Sequence, residues 1–282
     1  MQVREALANA VERLCGADIE DAPRDARRLL AHAMGVPDDR VLLVLDESMT
    51  EQQLKVYRAA IESRAARQPV AQITGKRLFW GRSFQVTRDV LDPRPETETL
   101  IVAALEHPFG TVLDLGTGSG AIVLTLLAER AGANGLGVDL SPAALDVAHA
   151  NARGLGLVPR ARFAFSDWFG SVSGRFDLIV ANPPYIGVNE IAQLAPDVRD
   201  WEPRMALVPA GCDGTGLAAY RHICAQAPRY LNPGGRLLVE IGATQGDAVA
   251  AIFARSELQA VKVLPDMTGR DRVVSGQVGA GQ

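Results

Sequence analysis

Apolar residues recur at helical spacing through roughly the first 70 positions of the chain. Asp21 is predicted to cap a second helix that Gly35 closes. Thr50 and Gln53 have the spacing of a capping box ahead of a third helix over 54–67. The first helix carries one apolar stripe, formed by Val3, Leu7, Val11 and Leu14. These patterns predict a small helical bundle over residues 1–70.

The pattern shortens after Pro69. Short β-type runs around Gly81 and Arg82 are followed by Phe84, Val86 and Val90, and they predict a β-hairpin linker over residues 71–93. The segment PRPETE (93–98) then favours the start of a helix, because proline suits the first turn and its glutamates complement the positive helix end.

From about residue 110, continuous apolar runs alternate with helical segments, which predicts a mostly parallel sheet covered on both faces. This α/β domain is assigned to residues 94–282. The predicted strands are 111–115, 135–140, 161–166, 176–181, 235–242, 260–264 and 272–275. The predicted helices are 122–128, 142–152, 215–230 and 246–255.

Composition narrows the possible functions. Hydrophobic residues make up 48% of the 282 positions and the net charge is −4, so a strongly basic nucleic-acid surface is not demanded. The cysteines (15, 212 and 224) and the four histidines are scattered, which predicts reduced thiols in the cytoplasm and no metal site. The charged N-terminal segment and the lack of a long apolar run predict neither a signal peptide nor a membrane span.

A glycine-rich segment, DLGTGSG (114–120), joins the first predicted strand of the α/β domain to the helix that follows. Ligands of such sheets bind beyond the carboxyl ends of the strands, and glycines let a ligand lie against bare backbone. Asp139 ends the next strand and can accept both hydroxyls of a ribose. Asp167 and Trp168 follow the third strand, where a carboxylate and an indole can recognise an adenine. The loop and Asp139 also fit a dinucleotide site.

NPPY (182–185) follows the fourth strand and suggests the chemistry. Asn182 offers an amide oxygen, and Pro183 retains a carbonyl, so two acceptors can take both protons of one planar NH₂ group. Pro184 stiffens the loop, and Tyr185 can cover the flat group by stacking. Because such a nitrogen is a poor nucleophile, catalysis is expected from alignment and preorganised acceptors, with no strong general base.

The chain resembles the bacterial peptide-chain release factor glutamine methyltransferases. The resemblance rests on PRPETE together with NPPY, and it extends nearly end to end through PVAQITG (69–75), FWGRSFQV (79–86), SDWF (166–169), EPRMALVPAGCDG (202–214), LNPGGRLLVEIG (231–242) and DMTGRDRVV (266–274). Two residues depart from the family pattern. Asp92 stands where isoleucine is usual, and Leu78 stands where glutamate is common.

The resemblance implies a Rossmann-like, seven-stranded class I methyltransferase domain with one antiparallel strand, preceded by a helical substrate-recognition domain. It implies methyl transfer from S-adenosylmethionine to N5 of the glutamine in the Gly-Gly-Gln loop of class I release factors, leaving S-adenosylhomocysteine. The implied cofactor-binding residues are Gly116, Thr117, Gly118, Ser119, Gly120, Asp139, Trp168 and Asn182, and Asp167 beside Trp168 is expected to join them. Asn182, Pro183, Pro184 and Tyr185 are expected to hold the substrate, and the first, second and fourth of them to be catalytic.

Three other functions remain to be weighed. An N6-adenine methyltransferase acting on DNA or RNA can hold its target NH₂ group with the same NPPY motif, but it needs a phosphate-binding surface and a flipped base. A non-catalytic nucleotide-binding protein has no need of Asn182 and Tyr185. An NAD oxidoreductase accounts for the glycine loop but leaves NPPY unexplained. We therefore expect a protein substrate, no direct nucleic-acid partner and no membrane partner.

Overall fold

The computed structural model describes residues 1–211 and 213–280; Cys212 and the last two residues of the predicted third domain lie outside them. The helices are α1 Val3–Cys15, α2 Ala22–Met34, α3 Glu51–Ala65, α4 Val70–Thr74, α5 Glu98–Leu105, α6 Ala121–Glu129, α7 Pro142–Gly154, α8 Pro196–Arg199, α9 Arg204–Leu207, α10 Ala218–Tyr230 and α11 Gly246–Ala254. The strands are β1 Lys76–Phe79, β2 Arg82–Gln85, β3 Thr111–Leu115, β4 Asn134–Asp139, β5 Ala161–Phe165, β6 Phe176–Ala181, β7 Leu231–Glu240, β8 Gln259–Pro265 and β9 Asp271–Gln277. Short 3₁₀ helices span Asp38–Val44, Pro95–Thr97 and Val188–Gln193.

The chain forms two compact units. The first comprises Met1–Lys76 together with Ala195–Trp201, and the second comprises Arg77–Leu194 together with Glu202–Gln282. The proposed domain boundaries at residues 70 and 93 stay predictions.

The first unit is the predicted helical bundle, in which α1, α2 and α3 enclose one apolar core. The capping box is present, since Gln53 N donates to Thr50 Oγ1 and Thr50 N donates to Gln53 Oε1. The proposed cap at Asp21 is wrong in its chemistry. Asp21 holds the N-cap position, but its backbone is not extended, and its carboxylate accepts a hydrogen bond from Arg24 instead of a helical N–H group.

The first unit also contains a segment from far along the chain. Arg64 donates to Asp25 at 2.7 Å, and its guanidinium lies 3.4 Å from the Asp197 carboxylate. Trp201 contributes two further contacts: its carbonyl accepts from Gln72, and its indole N–H donates to the carbonyl of Ala66. Residues 195–201 are therefore an integral part of this unit.

The second unit opens with the expected hairpin of β1 and β2. Trp80 and Gly81 form its turn, with φ of 49° and 69°. Two successive residues with positive φ are typical of the type I′ turns that suit the right-handed twist of hairpins. PRPETE begins the helical segment that continues into α5, as predicted.

The second unit is built on a seven-stranded sheet in the order β5-β4-β3-β6-β7-β9-β8. β9 runs antiparallel to both neighbours, and the strands from β5 to β7 pair in parallel. This confirms the predicted fold. Alternate residues of β3 and β6 face opposite cores: α5 and α6 cover one face, and α10 and α11 cover the other. The carboxyl ends of β3, β4, β6 and β7 therefore meet at one edge.

The sequence patterns missed the elements between residues 186 and 210. This stretch holds the 3₁₀ helix Val188–Gln193 and the one-turn helices α8 and α9, which are too short to show a period. β7 also begins four residues before its predicted start, and its pairing with β6 shifts register between Phe176 and Leu178. Within residues 1–211 and 213–280, no helix is long and apolar enough to cross a membrane.

Candidate functional site

A cavity of about 480 Å³ lies in the second unit, beyond the carboxyl ends of the parallel strands. It brings together most of the residues singled out from the sequence. Those that line it are Gly116, Thr117, Gly118, Ser119, Asp139, Asp167, Trp168, Asn182 and Pro184. Gly120, Pro183 and Tyr185 are not among its lining residues, although Pro183 lies between Asn182 and Pro184, which are.

The glycine loop forms one side of this cavity. Gly116 and Gly118 have φ of 70° and 53°, and a Cβ atom on either would meet open space. Both glycines are thus needed for backbone conformation and leave the loop bare toward a ligand. Gly120 differs, since its Cβ would come within 3.0 Å of Leu124 Cδ1 and 3.3 Å of Ala148 Cβ. With φ of 77°, Gly120 is therefore needed both for backbone conformation and for close packing at the start of α6.

The polar side chains of the loop point into the protein. Thr117 Oγ1 donates to Asp114 Oδ2 at 2.7 Å, and Val123 N donates to the same oxygen at 3.3 Å. Burial raises the pKa of Asp114 to about 7, against the opposing effect of these hydrogen bonds. The backbone carbonyl of Ser119 accepts from the Asn151 side chain. These contacts fix the loop and leave its backbone to face the cavity.

The Asp139 carboxylate lies against the glycine loop. Gly118 N donates to its Oδ2 at 2.8 Å, and Ser141 N donates to its Oδ1 at 2.9 Å. Each carboxylate oxygen retains a further lone pair. The side chain is therefore held rigidly and can still accept hydrogen bonds from the hydroxyl groups of a ligand in the cavity.

Trp168 lies on the cavity wall with its backbone in the left-handed region, at φ 48°. That conformation is unusual for a bulky residue, and it marks a position held by its surroundings. Its ring centroid lies 6.2 Å from that of His222, which also lines the cavity. His222 was not foreseen from the sequence, because it comes from α10, more than 50 residues away in the chain.

The NPPY segment leaves β6 at the same edge of the sheet. Asn182 is half-buried, and its Nδ2 lies 3.4 Å from Thr97 Oγ1. Pro183 is buried. The Tyr185 carbonyl accepts from Gln245 Nε2 at 3.0 Å, and burial raises the pKa of the Tyr185 hydroxyl to about 12. Tyr185 is therefore neutral across the physiological range and unsuited to act as a base.

A buried ionic network adjoins this region. Arg94 donates to Glu202 at 2.7 Å, and the backbone N–H of Asp92 donates to the other oxygen of Glu202. Arg77 pairs with Asp92 at 3.3 Å. Asp92, unusual for the resembled family, is thus part of an internal network, whereas Leu78 is 65% exposed on β1. Arg94 also lines the cavity, a position that its place in PRPETE could have indicated.

The arrangement suits a nucleotide-like ligand beside a planar amino group. A bare backbone loop, a fixed carboxylate and an aromatic wall meet the needs of a ribose and an adenine, and the open glycine positions leave room for them. Among residues 1–211 and 213–280, no cluster of three potential metal ligands was found.

Known proteins resemble this chain over its whole length. Residues 5–75 match the model of the PrmC N-terminal domain, and residues 89–195 match that of the methyltransferase small domain. The chain is 57% identical to the release factor glutamine methyltransferase of Cereibacter sphaeroides, over 99% of this chain and 100% of that protein. The protein of the same name from Rhodospirillum rubrum is 46% identical over 92% of this chain and 80% of its own length.

Solved structures support the fold. A methyltransferase from Pyrococcus furiosus superposes with a TM-score of 0.55 at 16% identity, covering 77% of this chain and 99% of that structure. A Thermus thermophilus 16S rRNA methyltransferase superposes with a TM-score of 0.51 at 21% identity, covering 72% of this chain and 49% of that structure. At such low identity these two similarities establish the architecture alone.

Proposed function

The chain belongs to the family of release factor glutamine methyltransferases, and from this premise we propose that it methylates N5 of the glutamine in the Gly-Gly-Gln loop of class I release factors. S-adenosylmethionine is the methyl donor. The single observation that carries the proposal is the position of Asn182, on the wall of a cavity that the bare glycine loop also lines. The donor's pocket and the amide-binding motif thus share one site.

The donor contributes a methyl group bound to a cationic sulfonium. Toward it, Asp139 accepts the ribose hydroxyls, and Trp168 and Asp167 recognise the adenine. The backbone from Gly116 to Ser119 lies against the rest of the molecule, with Asn182 completing the pocket. Gly120 supports this loop through packing against Ala148.

The substrate amide is held by its two N–H groups. Asn182 Oδ1 accepts one, and the carbonyl of Pro183 accepts the other, so the nitrogen lone pair is directed at the methyl group. Pro184 restricts the loop, and Tyr185 restrains it through the bond from Gln245. Rate enhancement comes from alignment and from fixed acceptors that favour a pyramidal nitrogen. The proton leaves to solvent after transfer, because no titratable side chain is assigned to abstract it.

The binding partner is also part of what we propose. We propose direct binding of a release factor, with the helical unit contributing to its recognition, and no direct use of nucleic acid. The net charge of −4 supports this choice over an adenine methyltransferase, which needs a phosphate-binding surface. Cys15 and Cys224 are free thiols, in keeping with a reaction located in the cytoplasm.

Labelling with methyl-labelled S-adenosylmethionine tests the proposal. The purified chain is incubated separately with a class I release factor, with the same factor lacking the Gly-Gly-Gln glutamine, and with an adenine-containing DNA duplex. We expect label in the intact factor alone, with mass spectrometry placing one methyl group on the glutamine side chain. Label in the DNA, or equal label in the factor that lacks the glutamine, would overturn it.

A further inference from the structure

Glu240 is a buried acid at the carboxyl end of β7 that none of the roles described above uses. The residue is 2% exposed, and its Oε2 has no hydrogen-bond partner among the described residues. An unpaired carboxylate oxygen is unfavourable in a protein interior, so a group of this kind calls for a physical explanation.

The strand register places Glu240 beside the NPPY segment. Ala181 of β6 pairs in parallel with Val239 of β7, so the next residues in the two strands are Asn182 and Glu240. Thr97 joins them from the 3₁₀ turn before α5, with its Oγ1 at 3.4 Å from Asn182 Nδ2. Thr97 and Asn182 both lower the pKa of Glu240 through side-chain hydrogen bonding, which indicates that its carboxyl group lies near them. Three distant parts of the chain therefore form one polar cluster.

This cluster determines which end of the Asn182 amide faces the cavity. A side-chain amide has a donor end, Nδ2, and an acceptor end, Oδ1. Thr97 Oγ1 and the Glu240 carboxylate both offer acceptor atoms, so they favour Nδ2 on their side. The opposite orientation would leave the N–H groups of Asn182 facing the N–H groups of a bound amide, and two donors cannot pair.

We propose that Thr97 and Glu240 are positioning residues for methyl transfer: they hold the amide of Asn182 so that Oδ1 is directed at the substrate nitrogen. This inference rests on the proposed function. Both residues are assigned to act through Asn182; Thr97 also lines the cavity, whereas Glu240 does not. Their loss is expected to slow turnover much more than it weakens binding of S-adenosylmethionine.

The charges around Glu240 connect this arrangement to pH. Burial raises the pKa of Glu240 to about 7, while hydrogen bonds from Thr97 and Asn182 and the charge of Arg272 oppose the increase. Glu96 raises it further. The other titratable groups that interact with it are Tyr185 and Tyr220, both neutral near pH 7. Ionised Glu240 can accept from Asn182 with either oxygen, whereas the protonated acid loses part of that capacity.

A matched set of threonine variants tests the inference. Thr97→Val removes the hydroxyl at nearly constant volume, Thr97→Ser retains it, and Thr125→Val removes a buried hydroxyl of α6 that has no partner. With a release factor as substrate, kcat is expected to fall roughly tenfold for Thr97→Val, the effect of about one hydrogen bond. Thr97→Ser is expected to retain most of the parent kcat, and Thr125→Val to keep all of it. The calorimetric Kd for S-adenosylmethionine and the KM for the factor are expected to change much less than kcat.

A double-mutant cycle shows whether Thr97 acts through Asn182. If it does, adding Thr97→Val to Asn182→Ala causes no further loss of kcat. A parent-like kcat for Thr97→Val, or fully additive losses in the cycle, would overturn the inference while the parent enzyme still labels the factor. Failure of the parent enzyme to label the factor would instead overturn the proposed function.

The pH profile gives an independent readout. For the parent enzyme, kcat is expected to rise with pH and to level off above about pH 7 as Glu240 ionises. Glu240→Gln keeps one acceptor oxygen and cannot titrate, so this limb is expected to disappear while cofactor binding persists. An unchanged limb in a folded Glu240→Gln variant contradicts the role given to Glu240. Should that variant fail to fold, the Thr97 set decides the inference, since it leaves the buried charge untouched.

Discussion

Individual side chains of the cavity make separable contributions to binding and to turnover. Asp139 is the residue whose removal tests binding most directly, because both of its oxygens are already fixed by backbone N–H groups. Asp139→Ala is expected to weaken the binding of S-adenosylmethionine by roughly 10- to 100-fold, as does the loss of other charged hydrogen-bond partners. Titration calorimetry measures the change, and Asp146→Ala, an exposed aspartate of α7, is the matched control. An affinity equal to that of the control would remove Asp139 from the site.

Asn182 tests turnover in the same way. Asn182→Ala leaves one substrate N–H group without an acceptor, and loss of a preorganised contact of this kind costs on the order of 10²–10³ in kcat. Asn182→Asp retains the shape and the acceptors while adding a negative charge beside a sulfonium, so we expect more activity than in the alanine variant. Rapid-quench kinetics measures both. Near-parent turnover of a folded, cofactor-binding Asn182→Ala variant would refute the role of NPPY.

The sequence revealed the residues that carry the chemistry better than those that support them. Asp139 and Asn182 could be selected because each ends a predicted strand at the ligand-binding edge. Glu240 could not be assigned to Asn182, because their proximity depends on the register of β6 against β7. Thr97 could not be assigned either, because it comes from a turn 85 residues earlier in the chain. His222 was missed for a similar reason, since helical periodicity does not reveal which strand end an α10 side chain will face.

At the level of secondary-structure elements, the turn from β3 into α6 depends on one glycine more than on its neighbours. Gly120 has φ of 77°, and a Cβ there would lie 3.0 Å from Leu124 Cδ1. Gly120→Ala is therefore expected to lower the free energy of unfolding by roughly 1 kcal/mol or more, through backbone strain and crowding together. Urea unfolding measures this loss.

Gly132→Ala is the control for that prediction, because its backbone is not in the left-handed region and a Cβ would meet open space. It is expected to leave stability unchanged or slightly raised. Equal unfolding free energies for the two alanine variants would mean that the conformation of Gly120 has no energetic consequence.

Short buried strands between polar turns were predicted nearly to the residue, whereas one-turn helices were missed. β3 and β6 have the predicted bounds, because a continuous apolar run between polar turns defines a buried strand. α8 and α9 have four residues each, and their start depends on Pro196 and on Pro203 rather than on any repeating pattern. Their positions could therefore not be predicted from the periodicity of apolar residues.

At the level of the whole molecule, buried acids make stability depend on pH. Burial raises the pKa of Asp114 and of Glu240 to about 7, above the 3.8 and 4.5 of the free side chains. Between those values and pH 7 the folded protein holds protons that the unfolded chain has released. Stability is therefore greatest at the acid end of this window and falls as the pH rises through 7.

We expect the free energy of unfolding to decrease by about 1 to 3 kcal/mol from about pH 5.5 to about pH 7.5. Urea titrations at the two pH values measure the difference, and Glu240→Gln is expected to reduce it. Asp213 and Asp266, whose pKa values are lowered by hydrogen bonds, affect stability only at lower pH. A protein that becomes more stable over this range would contradict the prediction.

The first unit includes residues 195–201, which follow the NPPY segment in the chain. This order affects how the unit folds during synthesis. On the ribosome, Arg64 and Ala66 emerge long before Asp197 and Trp201, their partners in that unit. Proteins generally acquire structure from the N-terminus as synthesis proceeds. Here the contacts with Asp197 and Trp201 can form only after β3 to β6 of the sheet have been synthesised. The nascent chain therefore completes its beginning only after most of its middle exists.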